Sequence, residues 1–291
     1  MRYFGTVIRP PSEAESYILQ VTYGCSHNKC TFCPTYIDKP FRICPVSEVM
    51  EDMEMAHNLM PQTRRVFLAD GNAMVLSNQK LMPILDALNS AFPELQRIGI
   101  YANATDILRK TDQELKELCA RRISIIYIGL ESGSNKVLAR VNKGATAEET
   151  IDAVKKAQNA GFKVSVIGLL GLGGTDLWKE HAVATGKAVS AINPLYFSML
   201  TLMVVPGTEL HKQWEEGNFV LPDPLDMLRE MRVVIENINV SSGCIFRTNH
   251  ASNYLPLAGR LPNDKGSLLN TIDQALTKGE SSLRPEFLRG L

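Results

Sequence analysis

The sequence of 291 residues has no net charge and no long apolar run. Its 31 basic and 31 acidic side chains create no general positive field that would attract nucleic acid or an anionic membrane. Residues 1–11 lack the apolar segment of a signal peptide, and apolar stretches such as residues 165–172 are too short to span a bilayer. These features predict a cytoplasmic protein with no membrane partner.

The sequence also lacks a Gly-, Ser- or Pro-rich linker, and its 45% hydrophobic and 21% charged residues exclude wholesale disorder. Six apolar, strand-like runs alternate with helical segments. The predicted strands are residues 18–23, 65–69, 98–102, 123–130, 162–170 and 195–203. Repeated strand–helix units predict an α/β fold with a parallel sheet, either an open doubly wound layer or a complete or partial barrel.

Several helix ends carry recognisable signals. Thr111 with Glu114, and Thr146 with Glu149, fit capping boxes, and Gly161 stands where a glycine ends a helix. Ser77 is placed to cap a further helix. Past residue 219 the pattern weakens to helices near residues 224–238 and 268–276.

Three of the six cysteines lie close together directly after the first predicted strand. Cys25, Cys30 and Cys33 form a C-x4-C-x2-C pattern, and thiolates this close on a loop can converge on one soft metal centre. Structural zinc with His27 as a fourth ligand, unliganded thiols, a redox disulfide and an iron–sulfur cluster all fit the spacing. The other cysteines are scattered and form no second group: Cys44, Cys119 and Cys244.

This segment resembles the signature of the radical S-adenosylmethionine (radical SAM) enzymes. Their usual pattern is C-x3-C-x2-C after the first strand, with an aromatic residue before the last cysteine, and Phe32 occupies that position. The departure is one extra residue between Cys25 and Cys30. The resemblance implies that the three cysteines ligate three irons of a [4Fe–4S] cluster.

Other segments extend the resemblance to the coproporphyrinogen-oxidase, methylthiotransferase and Elongator-like branch of these enzymes. It implies that the turn of Asp70, Gly71 and Asn72 binds the amino group of S-adenosylmethionine. Glu131 would contact the ribose hydroxyls, and Lys143, usually an arginine, would meet the carboxylate. The remaining implied cofactor-binding positions are Phe32, Asn103, Ser132, Gly168 and Leu170.

The resemblance implies an α/β fold with a partial (β/α)6 TIM-type barrel over residues 1–215, covered by a helical and loop extension over residues 216–291. It further implies an enzyme that reductively cleaves S-adenosylmethionine to a 5′-deoxyadenosyl radical, which abstracts hydrogen from a substrate. A reductant such as flavodoxin or ferredoxin would supply the electron. We expect a small-molecule substrate and a monomer or homodimer. The alternatives are a zinc-stabilised binding module without catalysis, or a radical SAM enzyme that modifies tRNA or protein.

The C-terminal part contains a polar stretch, residues 246–256, which we expect to be a loop rather than a strand or helix. Polar loops over a rigid scaffold often line substrate pockets. The stretch is therefore a candidate substrate-contacting segment, with an ordinary surface connection as the alternative. Its candidate residues are Arg247, His250, Asn253 and Tyr254.

Overall fold

The computed structural model describes residues 1–290, whose main feature is a mostly parallel sheet of eight strands. The ten strands among these residues are β1 (Tyr17–Gln20), β2 (Thr22–Tyr23), β3 (Arg42–Ile43), β4 (Arg65–Ala69), β5 (Arg97–Tyr101), β6 (Ile123–Glu131), β7 (Lys163–Leu170), β8 (Tyr196–Thr201), β9 (Cys244–Arg247) and β10 (Ala258–Leu261). The large sheet has the order β1-β4-β5-β6-β7-β8-β9-β10, and β2 pairs with β3 in a separate antiparallel ribbon. Within residues 1–290, β1 and β10 are the edges of the large sheet, which is therefore not closed.

The six strands predicted from the sequence are present. The predicted bounds of β4 are the observed ones, and the others agree within two residues, except that residues 18–23 divide into β1 and β2. The pairs β1 with β4, β4 with β5, β5 with β6 and β7 with β8 are all parallel. The predicted α/β class with a partial, six-unit barrel sheet is confirmed.

The sequence prediction missed β9 and β10. Phe246 and Arg247, expected in a loop, are strand residues, with β9 parallel to β8 and β10 antiparallel to β9. Each of these strands has only four residues, too few for a clear period-2 pattern, and Gly259 weakens the signal of β10 further. The C-terminal extension thus contains sheet as well as helix and loop.

Ten α-helices accompany the strands in the described part of the chain. They are α1 (Val46–Leu59), α2 (Asn78–Ala91), α3 (Ala104–Arg109), α4 (Asp112–Ala120), α5 (Asn135–Arg140), α6 (Ala147–Asn159), α7 (Gly174–Ile192), α8 (Glu209–Glu215), α9 (Pro224–Glu236) and α10 (Lys265–Lys278). Helices α9 and α10 correspond to the two predicted C-terminal helices.

The predicted helix ends are mostly confirmed. The side chains of Thr111 and Thr146 each accept the N–H of the glutamate three residues on, and that glutamate accepts the threonine N–H in return. Gly161 has the predicted left-handed φ of +102° beyond the end of α6. Ser77 stands at the N-cap position of α2, although its side chain makes no capping hydrogen bond.

Residues 1–28, 33–128 and 152–164 form one compact unit. Its core is apolar, with fully buried side chains such as Phe67 of strand β4, Leu85 of helix α2 and Phe92 directly after that helix. Burial of these large side chains supplies most of the driving force that holds the strands of the unit to its helices.

Residues 29–32, 129–151 and those from 165 onward form the second compact unit. A cluster of buried aliphatic side chains joins β7, α5 and α8, with Phe32 packed against it. The predicted division at residues 215 and 216 stays a prediction. No helix in residues 1–290 is both long and apolar enough to cross a membrane.

We predict that Gly133→Ala lowers the free energy of unfolding, because its new Cβ would lie 2.5 Å from the backbone nitrogen of Thr185 and overlap the Ala184 carbonyl. The expected loss is about 1–3 kcal/mol, typical of overpacking against atoms that cannot move aside. Gly266→Ala in α10 is the matched control, since its Cβ meets nothing within 4 Å and alanine favours the helix. Denaturant titration of both variants measures the difference; equal stabilities would contradict the prediction.

Candidate cofactor site

The loop that carries Cys25 approaches the turn after β4 closely, both lying in the first unit. A Cβ on Gly71 would stand 2.7 Å from the Cα and Cβ of Cys25 and equally near the Gly24 carbonyl oxygen. Only glycine allows this approach without a shift of the backbone. Cys25 and Cys33 are both partly exposed, so their thiols are accessible to a ligand.

Asn72 joins that turn to the cysteine loop by hydrogen bonds. Its fully buried side-chain oxygen accepts the Ser26 N–H (2.9 Å), and its amide nitrogen donates to Ser26 Oγ (2.6 Å) and to Asp106 Oδ2 (2.7 Å). Asp106 also accepts the N–H of Asn103 (3.4 Å). Burial raises the pKa of the Asp106 carboxyl. Asn72 thus orients the residue next to Cys25.

Asp70 braces the same loop from its other end. Its carboxylate accepts hydrogen bonds from the Tyr36 hydroxyl (2.7 Å) and from Gln20 Nε2 (3.2 Å), while the Tyr36 carbonyl accepts one from Asn28 Nδ2 (2.8 Å). Burial raises the pKa of the Asp70 carboxyl, and burial beside Asp70 raises that of the Tyr36 phenol. The side chain of Asp70 is therefore engaged by protein groups.

Thr31 and Phe32 belong to the second unit. The Thr31 N–H donates to the Val141 carbonyl (3.0 Å), and the Thr31 carbonyl accepts the Leu210 N–H (2.9 Å). Phe32 packs against the apolar cluster that includes Val141 and Leu169. The aromatic position of the cysteine motif is thus an anchor in the apolar core of this unit.

Glu131 and Lys143 form an ion pair at the end of β6. Lys143 Nζ lies 2.9 Å from Glu131 Oε1, and the two side chains are only 15% and 13% exposed. Glu131 has a left-handed φ of +59°, and a Cβ on Gly129 would overlap its carboxylate. The structure therefore brings together the two residues implied to bind the ribose and the cofactor carboxylate.

The other predicted positions of this unit are close-packed. Ser132 is fully buried, and its hydroxyl lies 2.7 Å from His181 Nδ1 and accepts the Ser134 N–H (2.9 Å). A Cβ on Gly168 would contact the ring of Phe197 at 3.3 Å, and the Leu170 carbonyl accepts the Leu202 N–H (2.9 Å). Leu170 itself is buried.

The four C-terminal candidates differ in how far protein groups already engage them. Asn253 is buried; its oxygen accepts from Thr201 Oγ1 (2.8 Å) and its nitrogen donates to the Met199 carbonyl (2.9 Å). Tyr254 donates to Glu286 (2.8 Å) and is stacked by Arg289, whose guanidinium lies 4.0 Å from the ring centre. Both residues therefore support the fold of this segment.

Arg247 and His250 are partly exposed. Arg247 donates to the Phe246 carbonyl (2.8 Å), whereas His250 Nδ1 lies 3.0 Å from Ser252 Oγ. Burial, with the positive charge of Arg284 nearby, lowers the pKa of His250. The role of all four candidates in substrate contact stays a prediction.

The tail of the chain holds this C-terminal segment through backbone carbonyls. Arg289, whose side chain is 2% exposed, donates to the carbonyls of Ser252 (2.7 Å) and Leu202 (3.2 Å). Arg284 donates to the carbonyls of Ala251 (2.7 Å) and Asn253 (3.1 Å). Sequence reasoning missed both arginines because a single Arg in a weakly patterned tail carries no signal.

Sequence reasoning also missed Asp106, Tyr36, Glu230 and His181. His181 is fully buried and contacts Ser132, and it lies on α7, 49 residues away in sequence. No local motif indicates pairs this far apart. Of the remaining cysteines, Cys44 and Cys244 are buried, which raises the pKa of Cys44 to about 11 and that of Cys244 to about 12, whereas Cys119 is partly exposed.

The donor set of the cysteine loop fits an iron–sulfur cluster in its chemistry. Three thiols on one partly exposed loop are the soft ligands that such clusters take. Within residues 1–290, no three Cys, His, Asp or Glu side chains are gathered in a way that could hold a metal ion. Assignment of the three cysteines as cluster ligands therefore rests on their spacing and exposure.

Residues 19–184 match the family model of the radical SAM superfamily, which covers more than half of the chain. The chain belongs to this superfamily. The resemblance read from the cysteine motif and the strand ends is thereby confirmed at the level of the family.

Three relatives are informative. The chain is 27% identical to an uncharacterized protein of Methanocaldococcus jannaschii, over 85% of this chain and 74% of the relative. It is 25% identical to an uncharacterized methyltransferase of Pyrococcus horikoshii, over 70% of this chain and 43% of the relative. It is 22% identical to a tRNA uridine(34) acetyltransferase of Methanocaldococcus jannaschii, over 67% and 43%. The chain thus spans less than half of the two relatives named as enzymes.

Among solved structures, coproporphyrinogen III oxidase from Escherichia coli, a radical SAM enzyme, has a similar fold. The TM-score is 0.58 at 17% identity, over 76% of this chain and 52% of that one. At this identity the likeness concerns the fold alone, and it agrees with the mostly parallel, open sheet described above.

Family membership makes the chain an enzyme whose cofactors are a [4Fe–4S] cluster and S-adenosylmethionine. Radical SAM enzymes generally need a one-electron reductant, because they cleave S-adenosylmethionine reductively. Superfamily membership thus supports the general reaction, reductive cleavage of S-adenosylmethionine.

We predict that Asn72→Ala reduces the iron that the protein takes up on anaerobic reconstitution, because the N–H and hydroxyl of Ser26 lose their partner beside Cys25. Loss of buried hydrogen bonds of this kind costs about 1–3 kcal/mol. Ser26→Ala, which loses only the hydroxyl contact and keeps the N–H bond, is the matched control and should retain more iron. Iron assay and visible absorbance measure the effect; equal iron content in both variants would contradict it.

Proposed function

We propose that Cys25, Cys30 and Cys33 hold the [4Fe–4S] cluster and that the loop ends beside β4 and β6 bind S-adenosylmethionine. The observation that carries this proposal is the C-x4-C-x2-C loop directly after β2, within the residues that match the superfamily. When bound, the cluster and cofactor supply a 5′-deoxyadenosyl radical that abstracts hydrogen from a substrate.

The chain's own residues bind and orient the cofactor. In this proposal the backbone of Asp70, Gly71 and Asn72 receives the amino group, since the side chains of Asp70 and Asn72 are engaged in bracing the cysteine loop and Gly71 holds this backbone against Cys25. Asn103, beside Asp106, completes the polar edge at this end of the first unit. The turn holds its shape because its buried side chains already have partners.

Glu131 would accept hydrogen bonds from the ribose hydroxyls, and Lys143 would meet the cofactor carboxylate. Their 2.9 Å ion pair holds both side chains in place and balances the charge of each. Ser132, Gly168 and Leu170 are buried, and in this proposal they form the packed wall behind the adenine rather than groups that contact it.

We predict that Cys25→Ala, Cys30→Ala and Cys33→Ala each lose the cluster, whereas wild-type protein reconstituted without oxygen binds about four irons per chain. With dithionite, wild type should release 5′-deoxyadenosine and the three variants should not. Cys119→Ala is the matched control, because this cysteine is partly exposed but lies on α4. A colourless, zinc-loaded wild type would overturn the proposal and favour the non-catalytic zinc module.

We further propose a small-molecule substrate, a flavodoxin or ferredoxin as reductant, and a monomer or homodimer. The equal numbers of basic and acidic residues support the first of these, because tRNA binding draws most of its affinity from positive charge. A tRNA-modifying relative makes RNA the competing substrate class. Arg247 and His250 are the best substrate contacts of the C-terminal segment, since Asn253 and Tyr254 are already engaged.

We predict that the low-molecular-weight fraction of a cell extract stimulates release of 5′-deoxyadenosine, whereas purified total tRNA does not. Arg247→Ala and His250→Ala should keep the basal release and lose the stimulation, because each is partly exposed and distant in sequence from the cysteine loop. Stimulation by tRNA alone would contradict the small-molecule proposal. Unchanged stimulation in both variants would contradict the role of these side chains.

A further inference from the structure

Ser132, His181 and Glu230 form a buried polar chain in the second unit. Ser132 Oγ lies 2.7 Å from His181 Nδ1, and His181 Nε2 lies 3.2 Å from Glu230 Oε1. All three residues are 0% exposed. These three residues, called the triad below, connect the segment after β6 to helices α7 and α9 and are up to 98 residues apart in sequence.

Its composition resembles the serine, histidine and carboxylate set of hydrolases, but its burial excludes that role. A nucleophilic serine must reach a substrate, whereas Ser132 Oγ is enclosed and already accepts the Ser134 N–H (2.9 Å). The triad therefore serves to hold other parts of the fold in place.

The far end of the triad holds the loop after β7. Glu230 Oε1 accepts the N–H of Gly171 (2.7 Å), directly after Leu170 at the end of that strand. Gly171 has a left-handed φ of +81°, and a Cβ there would lie 2.6 Å from the sulfur of Met227 on α9. One carboxylate oxygen thus fixes a backbone turn, and the same oxygen faces the histidine that holds Ser132.

This arrangement leaves buried polar atoms without a hydrogen bond. Glu230 Oε2 has no hydrogen-bond partner among the described residues. His181 Nε2 lies 3.2 Å from Glu230 Oε1 but forms no hydrogen bond with it. Unsatisfied buried groups of this kind are costly, and an apolar pair would pack the interior without that penalty. Stability of the fold alone does not account for them, which points to a functional constraint.

We propose that His181 and Glu230 are positioning residues for the nucleoside half of S-adenosylmethionine. They tie Ser132, next to the ribose-binding candidate Glu131, to Gly171, next to the adenine wall at Gly168 and Leu170. The two loop ends then keep their spacing while the cofactor binds. This inference rests on the proposed function, which assigns Glu131, Gly168 and Leu170 to the nucleoside.

The test compares S-adenosylmethionine affinity in anaerobically reconstituted variants. Glu230→Ala and His181→Ala leave the Gly171 N–H or the Ser132 hydroxyl without its partner, and we expect Kd and KM for the cofactor to rise about tenfold. Iron content and the reduced-cluster EPR spectrum recorded without cofactor should match wild type. The conservative variants Glu230→Gln and His181→Asn, which retain an acceptor for Gly171 and a polar group toward Ser132, should recover most of the affinity and remain measurable if an alanine variant fails to fold.

Glu13→Gln is the matched control for loss of a buried carboxylate. Glu13 is also 0% exposed, but it contacts Ser16, Tyr127 and Arg97, none of which is assigned to the cofactor. Its variant should lose thermal stability without a change in cofactor Kd. If the Glu230 and His181 variants behave like Glu13→Gln, with lower Tm and cofactor Kd within twofold of wild type, the triad is merely structural and the inference is wrong.

Glu131→Gln separates this failure from that of the proposed function: a normal Kd in Glu131→Gln, or no cofactor cleavage by wild type, would overturn the assignment of the nucleoside site itself.

Discussion

The approach of the Gly71 backbone to Cys25 is the constraint on which the candidate cofactor site depends. No side chain fits between the turn after β4 and the cysteine loop, because a Cβ would stand 2.7 Å from Cys25. The hydrogen bonds of Asn72 to Ser26 and of Asp70 to Tyr36 then fix the loop on either side of that contact. The cysteine loop, which lacks regular secondary structure, thus acquires a defined path from the strand beside it.

The second unit achieves a similar result with different means. Its loops after β6 and β7 are joined by a buried serine, histidine and glutamate, and Glu131 is held by its ion pair with Lys143. In both units, buried polar side chains hold loops whose exposed backbone or side chains remain available for a ligand. Such networks constrain geometry more than they add net stability, because desolvation offsets much of their hydrogen-bond energy.

The sequence predicted those parts of the molecule that local patterns encode. Strand β4, the capping boxes at Thr111 and Thr146, the helix end at Gly161 and the cysteine trio all depend on residues within a few positions of one another. It could not predict His181 with Ser132, or Asp106 with Asn72, because these contacts exist only once the chain has folded. The prediction missed strands β9 and β10 for a related reason. Four residues that pair with neighbouring strands can form a strand without a clear alternation of apolar and polar side chains. Substrate contacts are the hardest to predict from sequence. Asn253, for example, has a side chain that could bind a substrate, but in the fold its polar atoms are bonded to protein groups.

The two tail arginines hold the C-terminal loop only through its main-chain oxygens. Arg284 and Arg289 donate to the carbonyls of Ala251, Ser252 and Asn253, which every amino acid possesses. Side chains of such a loop can be exchanged during evolution without loss of its anchorage, provided that the backbone follows the same path. The fold therefore contains a segment whose side chains can change while its position is kept, a property that suits the substrate-contacting role proposed for it.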